Sequence, residues 1–285
     1  MKGLILAGGS GTRLWPITKT INKHLLPVHS KPMIYYSLGT LMLAGIREFE
    51  LISTPRDIEL FERLLGNGKN FGIEINYKIQ ANPNGIAEAF LISKDFIKNS
   101  STALILGDNI FHGTGLGNQL NSITQVDGAQ IFGYRVQNPE NYGVVELDSS
   151  NKILSIQEKP TNFKSNMAVP GLYFYDEQVS EIVKSIKPSA RGELEITTVN
   201  QEYLNFNKLK LMVLERGTVW LDTGTIETLY SASTYVKVVE ERQGRMICCI
   251  EEIALNKGWI SSSDLLKQIS NSGNSVYNKY LKSIV

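Results

Sequence analysis

The run Leu4-Ile5-Leu6-Ala7-Gly8-Gly9-Ser10-Gly11-Thr12-Arg13-Leu14 carries a hydrophobic strand into a glycine loop that holds one arginine. Gly8, Gly9 and Gly11 let backbone N–H groups turn toward a common point with no Cβ in the way, and such a concave nest binds anions. Arg13 adds a planar, permanently charged fork suited to phosphate oxygens. The loop reads as a phosphate cradle. Two better-known phosphate loops fail by spacing. A Walker loop would need a Gly-Lys-Ser/Thr run where Arg13 stands, and the dinucleotide fingerprint would need a glycine where Leu14 stands. Pro16 comes too early for a long helix to start at the loop, which weakens an anion-at-helix-terminus geometry.

Two carboxylates could complement that cradle. Asp108, in Ala103-Leu104-Ile105-Leu106-Gly107-Asp108-Asn109, follows a strand immediately and is placed either to hold a cation or to cap a turn. Asp222, in Trp220-Leu221-Asp222-Thr223-Gly224-Thr225, stands between a short apolar strand and a glycine turn. It has two readings, cation ligand or cap of the helix that begins near Thr225. Magnesium typically takes one or two carboxylates and completes its shell with water and phosphate oxygens, which two aspartates from distant strands satisfy.

Cationic side chains recur at other loop ends: Lys23 before His24-Leu25-Leu26-Pro27, Lys159 in Glu158-Lys159-Pro160, and Arg191 in Ala190-Arg191-Gly192-Glu193. A cation at ~4 Å from a phosphate gains about 4 kcal/mol of gross Coulomb attraction at an effective dielectric near ~20, before desolvation. No serine–histidine pair, reactive-looking cysteine or zinc spacing points to covalent catalysis. The chemistry implied is phosphate chemistry by positioning and electrostatics.

The elements that must hold these groups follow from hydrophobic periodicity. Strand-like runs at 3–6, 49–52, 73–79 and 103–106 alternate with helical periods at 34–44, 58–65 and 86–96. This order predicts an α/β fold with a Rossmann-like, mostly parallel sheet flanked by helices, binding ligands at the carboxyl ends of its strands. Beyond residue 128 closer strands follow, at 130–136, 143–147, 153–158 and 169–175. They predict a β-rich lobe over the sheet's open edge, within about 128–222. Residues 1–230 then form the core, and 231–285 a C-terminal helical segment serving as interface or regulator, with helices at 225–241 and 263–269.

Composition narrows the partners. A chain of 285 residues buries roughly 75% of its unfolded surface and needs no disulfide or metal staple. A formal charge of +1 leaves no broad basic footprint for a nucleic acid polymer. Adjacent Cys248 and Cys249 are badly placed to bridge each other and read as small buried hydrophobes, as suits a reducing cytoplasm. His24, His29 and His112 match no zinc spacing and read as structural. No run is long and apolar enough for export or a membrane span, so a cytoplasmic protein is expected.

Taken together, Gly8 to Leu14, Lys23 and Leu25-Leu26-Pro27 resemble the signature of the sugar-phosphate nucleotidyltransferases. Further matching blocks are Lys31-Pro32-Met33-Ile34-Tyr35-Tyr36, Gly107-Asp108-Asn109-Ile110-Phe111, Tyr142-Gly143-Val144-Val145-Glu146 and Ser189 to Thr197. The last two, with Trp220 to Gly224, resemble the thymidylyl branch, and the likeness runs from residue 1 to about 260. This resemblance implies transfer of dTMP from dTTP to glucose 1-phosphate with release of pyrophosphate. The sugar phosphate oxygen attacks the α-phosphorus in line, without a covalent enzyme intermediate.

By the same resemblance, Asp108 and Asp222 hold magnesium, and Arg13, Lys23, Asp108 and Lys159 are the catalytic set. The nucleotide is bound by Leu6, Gly8, Gly9, Gly11, Thr12, Arg13, Gln80, Gly85 and Asp108, with Gln80 and the backbone at Leu6 and Gly85 on the thymine. An amide side chain can match a ring N–H and a carbonyl together. The sugar phosphate falls to Lys159 and Arg191, and the glucose to Tyr142, Gly143, Glu158, Val169 and Tyr173. A homotetramer with a regulatory site for dTDP-rhamnose is also implied.

Departures from the family pattern are His24 for a glutamine, Pro170 for a threonine, and His112, Gly117 and Asn256 where aromatic, histidine and arginine residues are frequent. They imply weakened feedback. Three rival readings are a uridylyltransferase, since one methyl group gives only ~1–3 kcal/mol of discrimination, a silent sugar-nucleotide sensor, and a nicotinamide oxidoreductase. Retention of Arg13, Lys23, Asp108 and Asp222 together counts against the second, and Leu14 against the third.

Overall fold

The structure is a computed structural model that describes residues 1–9, 11–270 and 273–285; Ser10 of the glycine loop lies outside the described residues. The chain opens with β1 (Lys2–Leu6). A small hairpin follows, β2 (Pro27–Val28) and β3 (Lys31–Pro32), and then α1 (Ile34–Leu43), β4 (Glu48–Ser53), α2 (Ile58–Leu65) and β5 (Glu74–Ile79). The predicted helix at 86–96 is two short pieces, α3 (Glu88–Ile92) and α4 (Lys94–Ile97). Ser93 between them leaves the helical basin, with ψ at 11°. β6 (Thr102–Leu106) completes the first half.

β1 lies at the centre of a parallel block. Leu4 stands opposite Glu50 of β4 and Leu104 of β6, and β5 pairs with β4 in the same sense. Side chains alternate across the pleat. Ile5, Leu51 and Ile105 enter one apolar core, while Leu4, Ile52 and Leu104 enter another on the opposite face. That burial on both sides is why these strands read as continuous hydrophobic runs.

After a turn at Gly107-Asp108 come β7 (Asn109–His112), α5 (Leu116–Asn121), β8 (Ala129–Arg135), β9 (Gly143–Leu147) and β10 (Ile153–Glu158). The predicted strand at 169–175 is divided into β11 (Met167–Ala168) and β12 (Leu172–Tyr175). Pro170, which has no N–H for a ladder, stands at the break. β12 pairs antiparallel with both β6 and β8, so the β-rich lobe meets the open edge by extending the same sheet. Among the described residues the resulting sheet has ten strands, parallel around β1 and mainly antiparallel in the lobe.

α6 (Val179–Ser185) and α7 (Ile196–Asn205) precede β13 (Leu209–Val213), which runs parallel to β8, and β14 (Val219–Asp222). The C-terminal segment is helical: α8 (Ile226–Gln243), α9 (Ile250–Asn256), α10 (Ser262–Ile269) and α11 (Val276–Ser283). α8 starts with a capping box in which Thr225 and Thr228 bond each other's backbone, a device worth about 1 kcal/mol. Cys248 and Cys249 are buried free thiols, as expected. Among the described residues, no helix is long and apolar enough to cross a membrane.

Candidate active site

The glycine loop leaves the carboxyl end of β1 and turns through positive φ at Gly9 (91°) and Gly11 (60°). Gly11 has no room for a side chain, because a Cβ there would lie 2.7 Å from Thr18 Cγ2. The Thr18 hydroxyl donates to Gly11 O at 2.7 Å and pins the loop to the next turn. Short 3-10 turns at Thr12–Leu14 and Ile17–Lys19 replace a long helix, as Pro16 requires. Arg13 reaches from this loop toward Gly224, where a Cβ would stand 2.7 Å from its Nη2.

Asp108 and Asp222 meet through a two-strand ladder. β14 pairs antiparallel with β7, with Asp222 opposite Asn109. Thr223 locks the crossing by donating its backbone N–H (3.1 Å) and its hydroxyl (2.8 Å) to Asp108 O. Thr225, not Asp222, caps α8, so the cap reading of Asp222 falls away. Asn109, unassigned in the sequence reading, organises the turn. Its Nδ2 donates to Asp108 Oδ1 at 3.0 Å, and its Oδ1 accepts from Gly171 N at 3.0 Å and Trp220 Nε1 at 2.6 Å.

Lys23 Nζ donates to Asp108 Oδ2 at 2.5 Å, with side-chain exposures of 15% and 11%. Burial opposes ionisation of Asp108, but the Lys23 charge and bonds from Lys23 and Asn109 hold its carboxyl well below the usual carboxylate range. Asp222 goes the other way. Burial and then the neighbouring Asp108 charge push its carboxyl up, against the opposing pull of Lys23 and Arg13. Among the described residues no group of three or more His, Cys, Asp or Glu side chains gathers for a metal ion. A buried and a half-buried carboxylate, the second raised by the first's charge, suit a hard divalent cation that draws its remaining ligands from water and phosphate.

Lys23 is placed from behind. Asn22 Nδ2 donates to Ala7 O (3.2 Å) and Asp57 Oδ2 (2.9 Å), while its Oδ1 accepts from His24 N at 2.9 Å and lies 2.7 Å from His24 Nδ1. His24 is 1% exposed. Burial, then the Lys23 charge, pulls its pKa down to about 3, so it is a neutral packing element.

Beside this cluster opens a cavity of about 190 Å³ bordered by Leu6, Gly8, Gly9, Lys23, Gln80, Gly85 and Asp108. It gathers most of the residues expected at a nucleotide. Glu193 also borders it, unforeseen in the sequence. A larger concavity, about 830 Å³, includes Glu48 and Glu74. Those residues begin β4 and β5, at the sheet end opposite the glycine loop, and no expected site residue lies there.

The expected sugar residues group around Glu158. Its Oε2 accepts from Thr197 Oγ1 at 2.5 Å, and a Cβ on Gly143 would lie 3.5 Å from the same oxygen. Gly143 O accepts from Val169 N at 2.8 Å, and Tyr142 O accepts from Lys159 N at 2.9 Å. The Tyr142 ring packs edge-on against Trp220, centroids 4.9 Å apart. Tyr173 and Val169 lie deeper, 4% and 7% exposed. A cavity of about 400 Å³ here is bordered by Glu158, Arg191, Glu195 and Thr197. Arg191 is clasped by Glu195, to which its Nη2 donates at 2.9 and 3.0 Å, with Glu158 at 3.6 Å. Lys159, at positive φ (42°), is half-exposed, with its Nζ 3.9 Å from Glu158 Oε1. Glu195 and Thr197 stood inside a matching block without an assigned role.

Comparisons with known proteins agree with this fold. The profile of the family described as nucleotidyl transferase matches residues 2–238. Glucose-1-phosphate thymidylyltransferase of Mycobacterium tuberculosis (strain ATCC 25618 / H37Rv) is 52% identical over 285 residues, covering 100% of this chain and 99% of that protein. The protein of the same name from Neisseria gonorrhoeae is 49% identical over 286 residues, covering 100% and 99%. A solved UDP-glucose pyrophosphorylase complexed with UDP-glucose superposes with a TM-score of 0.71 at 25% identity, covering 86% of this chain and 99% of that one.

Proposed function

Because the chain belongs to the nucleotidyl transferase family, we propose that it transfers dTMP from dTTP to α-D-glucose 1-phosphate, forming dTDP-glucose and pyrophosphate. The observation that carries this reading is the placement of Asp108 and Asp222 against Lys23 and Arg13, beside the cavity bordered by Gly8, Gly9 and Gln80. Acidic and basic groups so arranged match a triphosphate, whose charge grows at the departing oxygens in the transition state.

The glycine loop and Arg13 receive the triphosphate, and Lys23, already aimed at Asp108, neutralises charge at the α-phosphate and on the pyrophosphate that leaves. Asp108 and Asp222 would hold a magnesium ion, which when bound supplies Lewis-acid charge and orients the phosphates. Arg191 and Lys159 hold the sugar phosphate so that its oxygen faces the α-phosphorus. Glu158, fixed by Thr197, and the backbone around Gly143 line the glucose. Phosphate already carries the nucleophilic oxygen as an anion, so no general base is required, and positioning supplies most of the acceleration.

The same reading includes a cytoplasmic homotetramer. Ile226, Tyr230 and Val238 lie exposed along α8 (48%, 74% and 52%), an apolar row that another copy would cover; sedimentation at a monomer mass would contradict it. It also includes weakened feedback by dTDP-rhamnose. His112 bonds Tyr235 through Nδ1 at 2.7 Å, and Asn256 offers no bidentate guanidinium. Undiminished inhibition by dTDP-rhamnose in a turnover assay would refute this.

One further reading has support in the likeness to a UDP-glucose pyrophosphorylase, namely use of UTP. Pyrophosphate release measured over a grid of nucleoside triphosphates and hexose 1-phosphates tests both. The highest kcat/KM falls on dTTP with glucose 1-phosphate if the proposal holds, and on UTP if the alternative does.

A further inference from the structure

Gln80 borders the nucleotide cavity at 7% exposure, its backbone tied to Ser53 O at 2.9 Å. Its amide nitrogen donates to Gly85 O at 3.1 Å and to Glu88 Oε2 at 2.8 Å. Glu88 is itself held, since Asn84 Nδ2 donates to its other oxygen at 2.8 Å. Gly85 is restricted to glycine: at φ 105° a Cβ would come within 2.4 Å of Leu194 O.

Both groups facing the Gln80 nitrogen are oxygens with no hydrogen to give, a peptide carbonyl and a carboxylate. Turned over, the amide would set its own oxygen against both and lose two hydrogen bonds. The amide orientation is therefore decided by chemistry. Both amide hydrogens are engaged, and the remaining atom, Oε1, faces the glycine loop, 3.3 Å from where a Gly8 Cβ would stand. Toward a ligand in this cavity Gln80 offers an acceptor and no donor, which narrows the expectation that its amide matches a ring N–H and a carbonyl together.

We infer that Glu88 is a positioning residue that makes Gln80 an acceptor-only reader, so that the site accepts a pyrimidine with a ring N–H, thymine or uracil, and rejects cytosine. Thymine and uracil present N3–H to such an oxygen. Cytosine presents a bare N3, and two acceptors then face each other in a desolvated site. Glu88 does not border the cavity; it acts through Gln80. This inference rests on the nucleotidyl-transfer reading and adds the basis of base choice.

The test is a double-mutant cycle on the full-length protein with dTTP and dCTP as alternative substrates. Glu88→Ala is expected to raise KM for dTTP about 5–30-fold with kcat nearly unchanged. It is also expected to narrow the dTTP-over-dCTP ratio of kcat/KM at least about tenfold. Glu88→Gln, which keeps an oxygen toward Gln80, recovers most of the loss. In a Gln80→Ala background, Glu88→Ala adds less than about twofold. Equal effects of Glu88→Ala in both backgrounds, or an unchanged dTTP-over-dCTP ratio, would overturn the inference. Glu88→Met, of similar length but without the acceptor, enters the same cycle if Glu88→Ala fails to fold. Absence of dTTP turnover by the unaltered protein would sink the transfer reading alone, because calorimetric binding of dTTP against dCTP reads the role of Glu88 without catalysis.

Discussion

Asp108 and Asp222 stand together because Asp222 lies opposite Asn109 in the ladder of β7 and β14, and their carboxyls are driven in opposite directions. Lys23 binds Asp108 directly at 2.5 Å and favours its ionised form. Asp222 then carries the strain of a second negative charge in a half-buried site, which a bound divalent cation would relieve.

Substitution of the two aspartates should accordingly shift stability in opposite senses while abolishing magnesium-dependent turnover in both cases. A lowered folded-state pKa means that Asp108 contributes stability above the ordinary carboxylate pKa, lost as pH falls through the folded value. Asp108→Asn leaves Lys23 without its partner, a loss of roughly 3 kcal/mol and about 5–10 °C in Tm. A raised folded-state pKa means that Asp222 favours folding while protonated, and that contribution is lost as pH rises through the folded value. Asp222→Asn should raise Tm at neutral pH by about 2–4 °C. Calorimetry without metal distinguishes the signs; a fall in both variants would contradict the account.

Arg13→Ala should lower kcat by roughly 10² to 10³, the usual effect of removing one preorganised charge stabiliser. Its exposure on the loop leaves stability almost unchanged. Steady-state kinetics with a Tm control checks both, and a loss below about tenfold would mean that Arg13 does not face the triphosphate.

Arg191 is held in a fork by Glu195. Arg191→Lys keeps the charge but loses the planar pair of donors, so KM for glucose 1-phosphate should rise about tenfold or more while KM for dTTP holds. A change confined to the dTTP KM would move Arg191 to the other substrate.

His24 gives the chain an acid sensitivity of its own. Its pKa is brought down to about 3 in the folded state, so between its ordinary value of 6.5 and that point the unfolded chain takes up a proton that the folded chain refuses. Stability therefore falls as pH drops through this window, by up to ~1.4 kcal/mol per pH unit, with no further loss below it. His24→Gln should flatten the decline between about pH 6 and pH 4, seen in urea unfolding at stepped pH. An unchanged slope would show that His24 already titrates freely.

Elements with strong local periodicity were legible. The helix at Ile58–Leu65 and the strands at Gly143–Leu147 and Ile153–Glu158 fall where alternation and spacing put them. α7 (Ile196–Asn205) was not recognised as a helix. Its Thr-Thr-Val stretch disfavours one locally, and Ile196, Val199 and Tyr203 hold it by packing into the second core. At the site, residue types pointed to Asp108, Asp222, Lys23 and Arg13. Their pairing depends on the β7–β14 register and on Asn109, which joins strands more than a hundred residues apart. Glu88 read as part of a helical period; its bond to Gln80 exists only because the loop between them folds back.

The central claim is tested most directly by following dTTP, glucose 1-phosphate and magnesium with the purified protein by phosphorus NMR. The account predicts that dTTP disappears as equal amounts of dTDP-glucose and pyrophosphate appear, and that the mixture reverses when pyrophosphate is added. Persistence of dTTP, or its conversion to dTMP or dTDP without a sugar nucleotide, would contradict it.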